Sequence, residues 1–273
     1  MSIVPLGTLL AQVRAEGRAL GSFNAVSIGY MEAIISGAEL AGLPVVVALS
    51  ASHLKYLDMK TFVWYLQERG GSSSVAISSQ LDHANDEEVC KQALDLGFSS
   101  VMFDGKGLDY SEKVRRTRAL VAWAQGYKAL VEAPLDDIGK CSRPGKLTEP
   151  EAAEEFVAET GIQILAASVG TSHGLAPGQA QADVYRVREI CRAVRAAVSV
   201  HGGSGIEDSA YGVLVSAGVA KISIFTRLSM ASVAAVRAAL AAGQPRYPEL
   251  EQAARMAVAH EVYRLMGLFD GRT

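Results

Sequence analysis

The chain has 273 residues, 49% of them hydrophobic and 20% charged, so it can bury a large core and is too apolar for a disordered segment. With 26 Lys and Arg against 29 Asp and Glu, its formal charge of -3 offers no strong basic field, which excludes nucleic acid and anionic membrane as expected partners. Three cysteines, Cys90, Cys141 and Cys191, stand far apart without CxxC spacing, an arrangement that argues against a disulfide framework or zinc ribbon and fits a reducing cytoplasm. The opening run MSIVPLGTLLAQVRAEGRAL lacks the zones of a signal peptide, and no apolar run reaches the roughly 18 residues of a membrane span. A cytoplasmic location is expected.

Short apolar or β-branched runs alternate with longer stretches of helical period, and Gly, Ser or Asp stands at the joins. In chain order, strands are expected at 21–26, 44–50, 75–82, 100–104, 129–135, 164–169, 198–201 and 220–226. Helical stretches include 30–41, 86–96, 111–124, 150–160 and 184–197, and a further helix follows the last unit over about 248–266. Eight strand–helix units in one series predict an α/β fold, a parallel sheet closed as a (β/α)8 TIM barrel rather than an open doubly wound sheet. No linker or low-complexity segment divides the chain, so one domain is expected over 1–273.

Such a barrel carries its chemistry at the carboxyl ends of the strands. Of the five histidines, His83, His173 and His201 fall at or just after expected strand ends, while His53 sits in the loop after the second strand and His260 in the terminal helix. Three neutral imidazoles at one mouth would form a zinc site with a fourth position left open, although their long-range spacing matches no local zinc motif. Asp82 precedes His83, Gly-Thr-Ser precedes His173, and His201 opens the run HGGSG. Glycines let backbone N–H groups approach an anion, and Thr171 and Ser204 offer hydroxyl donors. The same glycines also suit a plain tight turn, and a lone histidine at a strand end is often a hydrogen-bonded core residue.

Across these motifs the chain resembles the class II, zinc-dependent fructose- and tagatose-bisphosphate aldolases. The likeness runs through GSFNA (21–25), AELAGLPVVVALS (38–50), LDH (81–83), ALDLGFSSVMFDG (93–105), TEPEAAEEFVAETG (148–161), GTSHG (170–174), HGGSGI (201–206) and KISIFT (221–226). It implies a lyase of carbohydrate metabolism, close to glycolysis, that works as a homodimer or homotetramer on a phosphorylated ketose or dihydroxyacetone phosphate. By the same resemblance His83, His173 and His201 hold one zinc ion, and Asp82 exchanges a proton with the C4 hydroxyl. Gly174, Gly202, Gly203, Ser204 and Thr226 cradle the phosphate, Asn24, Ser50 and Ser223 contact the substrate, and Asp104 and Glu132 stand behind the metal ligands.

The implied chemistry suits these residue types. Splitting a ketose between C3 and C4 leaves a carbanion beside a carbonyl, which a Lewis-acid metal stabilises while a carboxylate takes the C4 hydroxyl proton. Side chains alternate along a strand, so consecutive Asp82 and His83 both reach the site only if the strand ends or twists there. Otherwise Asp82 would orient a ligand histidine.

Several positions depart from the family pattern. Gln80 replaces a histidine, Glu132-Ala-Pro-Leu-Asp lacks a second glutamate, and a second metal site is accordingly not expected. The loop IGKCSRPGKLTEP (138–150) is short and has no clear equivalent of the donor-side glutamate base. Asp136, Asp137 and Glu149 are its candidate replacements, each equally readable as a solvated loop charge. Ser223 stands for an asparagine and Arg227 for an acidic residue, so a divergent substrate is expected. Two other readings remain open: a barrel that binds a phosphorylated sugar without aldol chemistry, and a Schiff-base aldolase in which Lys221 on the last strand forms an imine.

Overall fold

The computed structural model describes residues 3–140 and 145–271. Among the described residues ten strands form: β1 (Leu20–Asn24), β2 (Val45–Ser50), β3 (Ile77–Ala84), β4 (Ser100–Phe103), β5 (Leu130–Pro134), β6 (Gly139–Lys140), β7 (Ile164–Ala166), β8 (Ser172–His173), β9 (Ala197–Val200) and β10 (Val219–Ile224). Eight of them close a parallel barrel in the order β1-β10-β9-β7-β5-β4-β3-β2, and β6 pairs with β8 in a separate two-stranded sheet. The expected TIM barrel is therefore present. Its strands come from apolar runs such as VVVALS of β2, buried along the whole length, because helices cover the outside and side chains fill the inside.

The helices are α1 (Leu6–Ala15), α2 (Ile28–Ala41), α3 (Met59–Gly70), α4 (Glu87–Leu96), α5 (Tyr110–Gln125), α6 (Pro150–Thr160), α7 (Val184–Ala193), α8 (Asp208–Ser216), α9 (Thr226–Ala242) and α10 (Tyr247–Phe269). Their starts follow from capping side chains: Ser27, Asp58, Asp86, Asp109 and Asp183 each accept a hydrogen bond from a backbone N–H of the first turn. Left-handed glycines at 42, 97 and 161 end α2, α4 and α6. No described helix is long and apolar enough to cross a membrane.

One end of the barrel is plugged. Leu6, Leu9, Leu10 and Val13 of α1 pack with Leu20, Val46, Ile164, Ala197 and Ala220 from the starts of the strands. α10 closes over α2, where a Cβ on Gly37 would lie 2.5 Å from the Ala259 carbonyl oxygen, so glycine permits the approach. The carboxyl ends of the strands are left as the open mouth.

Several expected boundaries shift. The first strand, expected over 21–26, ends at Asn24, and the last, expected over 220–226, ends at Ile224, with Thr226 opening α9. The third strand, expected over 75–82, runs instead to Ala84. The strand expected over 164–169 stops at Ala166, and the helix expected over 184–197 stops at Ala193 because Ala197 already pairs with Ile164 in the barrel ladder. The short β6–β8 pair, joining Gly139 to Ser172 and Lys140 to His173, is not anticipated by periodicity, since two residues carry no period. The terminal helix begins at Tyr247 and ends at Phe269, three residues beyond the expected end.

Candidate active site

The site starts from an irregularity in β3. Its register with β4 shifts between Leu81 and Ala84, and His83 sits at φ 56°, in the left-handed region that non-glycine residues seldom occupy. This bulge breaks the alternation, so that Asp82 and His83 both line one cavity of about 430 Å3 at the barrel mouth. His173, from β8, and His201, directly after β9, line the same cavity. The ring centroids of His83 lie 4.8 Å from those of His173 and 4.7 Å from those of His201.

Two carboxylates set the histidine tautomers. Asp104 Oδ1 lies 2.9 Å from His83 Nδ1, and Glu132 Oε1 lies 2.7 Å from His201 Nε2. A carboxylate accepts, so the proton of each ring faces it, leaving His83 Nε2 and His201 Nδ1 as lone pairs. Nitrogen atoms of the three rings fall within 4.8 Å of one another, and His83 Nε2 and His173 Nε2 are 3.2 Å apart. Two nitrogens each about 2.0–2.1 Å from one tetrahedral ion would be separated by about 3.3 Å. The donor set and its spacing fit a divalent metal ion.

The charges around the triad are balanced inside the barrel. Glu132 is fully buried and accepts four hydrogen bonds, from His201, Ser199 Oγ (2.5 Å), Gln80 Nε2 (2.6 Å) and Lys221 Nζ (2.8 Å). Burial works to raise its carboxyl pKa, but Lys221 and His201 outweigh it and hold the value well below the ordinary one. Burial likewise opposes ionisation of Asp82 and Asp104; His83 and its cationic neighbours prevail and keep both below the usual range. For His83 burial pulls downward, yet the Asp82 and Asp104 carboxylates hold it above the ordinary imidazole value. Burial, followed by the neighbouring His83 and His201, pushes His173 down to about 3. Burial also lowers His201 despite Glu132.

A family model for class II fructose-bisphosphate aldolase matches residues 4–272. The chain belongs to this family. It is 32% identical over 239 residues to the 6-phospho-5-dehydro-2-deoxy-D-gluconate aldolase of Shouchella clausii, covering 85% of this chain and 81% of that protein. It is 28% identical over 248 residues to a fructose-bisphosphate aldolase of Staphylococcus epidermidis, covering 88% and 87%. Among solved structures, the YdjI aldolase of Escherichia coli K12 superposes with a TM-score of 0.86 at 26% identity, covering 98% of this chain and 97% of that one.

Within this class II frame, Asn24, Ser50, Gly174, Gly202, Ser204, Ser223 and Thr226 line the cavity with the histidines. Asn24 Nδ2 donates to Asp82 Oδ2 at 2.8 Å, whereas Asp82 Oδ1 is buried without a partner. Ser50 Oγ meets Ser52 Oγ at 2.8 Å. Gly203 does not line the cavity: a Cβ there would lie 2.8 Å from Ile222 Cγ2, so it serves close packing behind the wall. Glu132 does not line it either; it touches His201 from behind.

The departures have structural counterparts. Gln80, in place of histidine, adds a neutral donor to Glu132. Arg227, in place of an acidic residue, is buried, donates to the carbonyl of Ser204 at 3.0 Å and to that of Ile206, and pairs with Asp208 at 2.5 Å. It thereby ties down the loop that carries Ser204. Asp136 pairs with Lys146 at 3.6 Å and Glu149 with Arg186 at 2.7 Å; neither lines the cavity, nor does Asp137. Cys141 and its neighbours to 144 lie outside the described residues; Cys90 and Cys191 are free thiols.

Sequence reasoning did not single out Lys106, Asn85, Lys140, Ser52 or Phe225, all on the cavity wall, and left His53 without a role. His53 stacks against Phe225 at 4.5 Å between ring centroids. Lys106 was detectable in principle, because the run Asp-Gly-Lys-Gly after a strand marks a formed turn at the catalytic end.

Proposed function

We propose that this chain works as a single metal-dependent aldolase unit that cleaves or forms the C3–C4 bond of a phosphorylated ketose, with one zinc ion held by His83, His173 and His201. The observation that carries this reading is the free Oδ1 of Asp82 beside three imidazoles whose lone pairs converge. Zinc, when bound, supplies a Lewis acid for the ketone donor's developing negative charge.

The chain's own residues do the rest. Asp82 enters as the ionised base, in keeping with its lowered pKa. Its Oδ1 takes the C4 hydroxyl proton as the bond breaks and returns it in the addition direction, while Asn24 fixes the carboxylate through Oδ2. Asp104 and Glu132 orient His83 and His201. Gly174, Gly202, Ser204 and Thr226 surround the phosphate, and Gly203 and Arg227 hold that wall in place. Ser50 and Ser223 offer hydroxyls to the donor.

Lys221 is held away from the alternative Schiff-base role. Its ammonium is fully buried, bonded to Glu132 and to Ser223 Oγ at 3.1 Å, and does not line the cavity. Borohydride in the presence of substrate is expected to leave the enzyme unlabelled; covalent labelling at Lys221 would restore the imine.

The substrate is proposed to differ from fructose bisphosphate, since none of Asp136, Asp137 and Glu149 lines the cavity among the described residues and relatives carry both gluconate and fructose-bisphosphate names. The zinc form should be incubated with ketose 1-phosphates, ketose bisphosphates and phosphorylated keto-acids, following release of dihydroxyacetone phosphate. Release from at least one is expected. Tight binding of such sugars without any cleavage would favour the binding barrel instead.

A further inference from the structure

The turn from Gly203 to Ile206 carries Ser204 of the phosphate wall, and its carbonyls are held by groups that do not line the cavity. The Tyr211 hydroxyl, on α8, donates to the Gly203 carbonyl at 2.8 Å. Arg227, in the first turn of α9, donates to the carbonyls of Ser204 and Ile206, and the Ala180 N–H donates to that of Gly205 at 2.8 Å. Every carbonyl of the turn is so engaged. A trans peptide is planar with its N–H opposite its C=O, so the Gly203 carbonyl directed at Tyr211 turns the Ser204 N–H away from Tyr211, the side on which Ser204 lines the cavity.

This grip is anchored in the terminal helix. Arg227 pairs with Asp208 at 2.5 Å, and the other Asp208 oxygen accepts from Arg264 of α10. Glu261 of α10 pairs with Arg264 at 2.8 Å and reaches Arg227 at 3.7 Å. Tyr211 is fully buried, with the Arg227 guanidinium 5.4 Å from its ring centroid and Phe269 of α10 at 4.9 Å. Two arginines meet two carboxylates, so the cluster works by fixing geometry rather than by attracting a ligand. It depends on the departure at 227, because an ionised acidic side chain there would only accept and could hold none of these carbonyls.

Resting on the aldolase reading, we propose that Tyr211 and Arg264 are positioning residues for the phosphate of the ligand. Tyr211 acts directly on the turn and Arg264 acts through Asp208 and Arg227, so that α10 helps set how tightly phosphate is held. Neither side chain lines the cavity.

The test is calorimetric titration of the zinc-loaded protein with dihydroxyacetone phosphate and with inorganic phosphate, comparing wild type, Tyr211→Phe, Arg264→Met and Arg69→Met. Arg69 joins Glu32 and Glu39 between α2 and α3, so its variant reports the plain loss of an ion cluster. Tyr211→Phe and Arg264→Met are each expected to raise both Kd values about 2- to 10-fold, the worth of roughly one hydrogen bond, with zinc still at one ion per chain. The Gly203 carbonyl keeps the Ile206 N–H at 3.0 Å, so Tyr211→Phe strands no buried acceptor, and the Arg264 side chain is 33% exposed, so both variants are expected to fold. Arg69→Met is expected to lower Tm and leave both Kd values as in wild type. Unchanged Kd values in Tyr211→Phe and Arg264→Met, or an equal rise in Arg69→Met, overturn the positioning role while leaving the aldolase reading standing. Failure of wild type to bind dihydroxyacetone phosphate contradicts the aldolase reading itself.

Discussion

Asp82 and His83 are consecutive on β3, yet both face one cavity, with His83 Nε2 4.0 Å from Asp82 Oδ2. The left-handed backbone at His83 is what makes this possible, and such a conformation costs a non-glycine residue about 1–3 kcal/mol. Asparagine tolerates that region better than alanine. His83→Asn and His83→Ala are both expected to lose the metal, but in chelator His83→Asn should melt a few degrees above His83→Ala. Equal melting temperatures in calorimetry would contradict the strain account.

Removing the free oxygen beside the triad separates proton transfer from metal binding. Asp82→Ala is expected to lower turnover by about 100- to 10,000-fold while bound zinc remains at one ion per chain. Metal content from elemental analysis, measured beside the rate, decides the matter. A variant that keeps its rate, or loses its zinc, would give Asp82 an orienting role instead.

Glu132 links pH to stability. Its folded pKa lies below the unfolded value of about 4.3, so its contribution is fully present above that value and is lost as pH falls through the folded pKa. Glu132→Gln leaves the Lys221 ammonium buried without a counter-charge and is expected to cost about 3–5 kcal/mol at neutral pH. Denaturant melts of this variant should also weaken less than wild type between neutral pH and pH 3, because the group that titrates is gone. An unchanged acid profile would contradict this.

The barrel was legible because its signals are long and repeated: eight apolar runs with helical stretches between them leave little choice of topology. The histidine triad was legible because all three residues lie at or after the carboxyl-terminal part of a barrel strand, His173 through the loop that leads from β7 into β8. The juxtaposition of Asp82 with His83 was not, since the bulge that produces it depends on the pairing of β3 with β4 rather than on local pattern. The inward role of Gln80 and the four bonds at Glu132 join residues distant in sequence and were equally hidden. Lys140 enters the cavity only because β6 pairs with β8, a contact too short to leave a periodic trace.

The proposed divergence has its own readout. Because Asp136, Asp137 and Glu149 stand outside the cavity, zinc enzyme mixed with dihydroxyacetone phosphate in heavy water is expected to incorporate deuterium slowly by NMR, and to cleave another ketose better than fructose bisphosphate. Rapid exchange together with efficient fructose-bisphosphate cleavage would contradict it.

The most direct measurement of the central claim is metal removal and return. Protein stripped by chelator and dialysed is expected to show no ketose-phosphate cleavage, to bind one zinc ion per chain on titration, and to regain activity in proportion to that ion. His173→Ala should neither bind zinc tightly nor regain activity. Full cleavage by the stripped, metal-free protein would contradict the assignment of His83, His173 and His201 as the catalytic metal site.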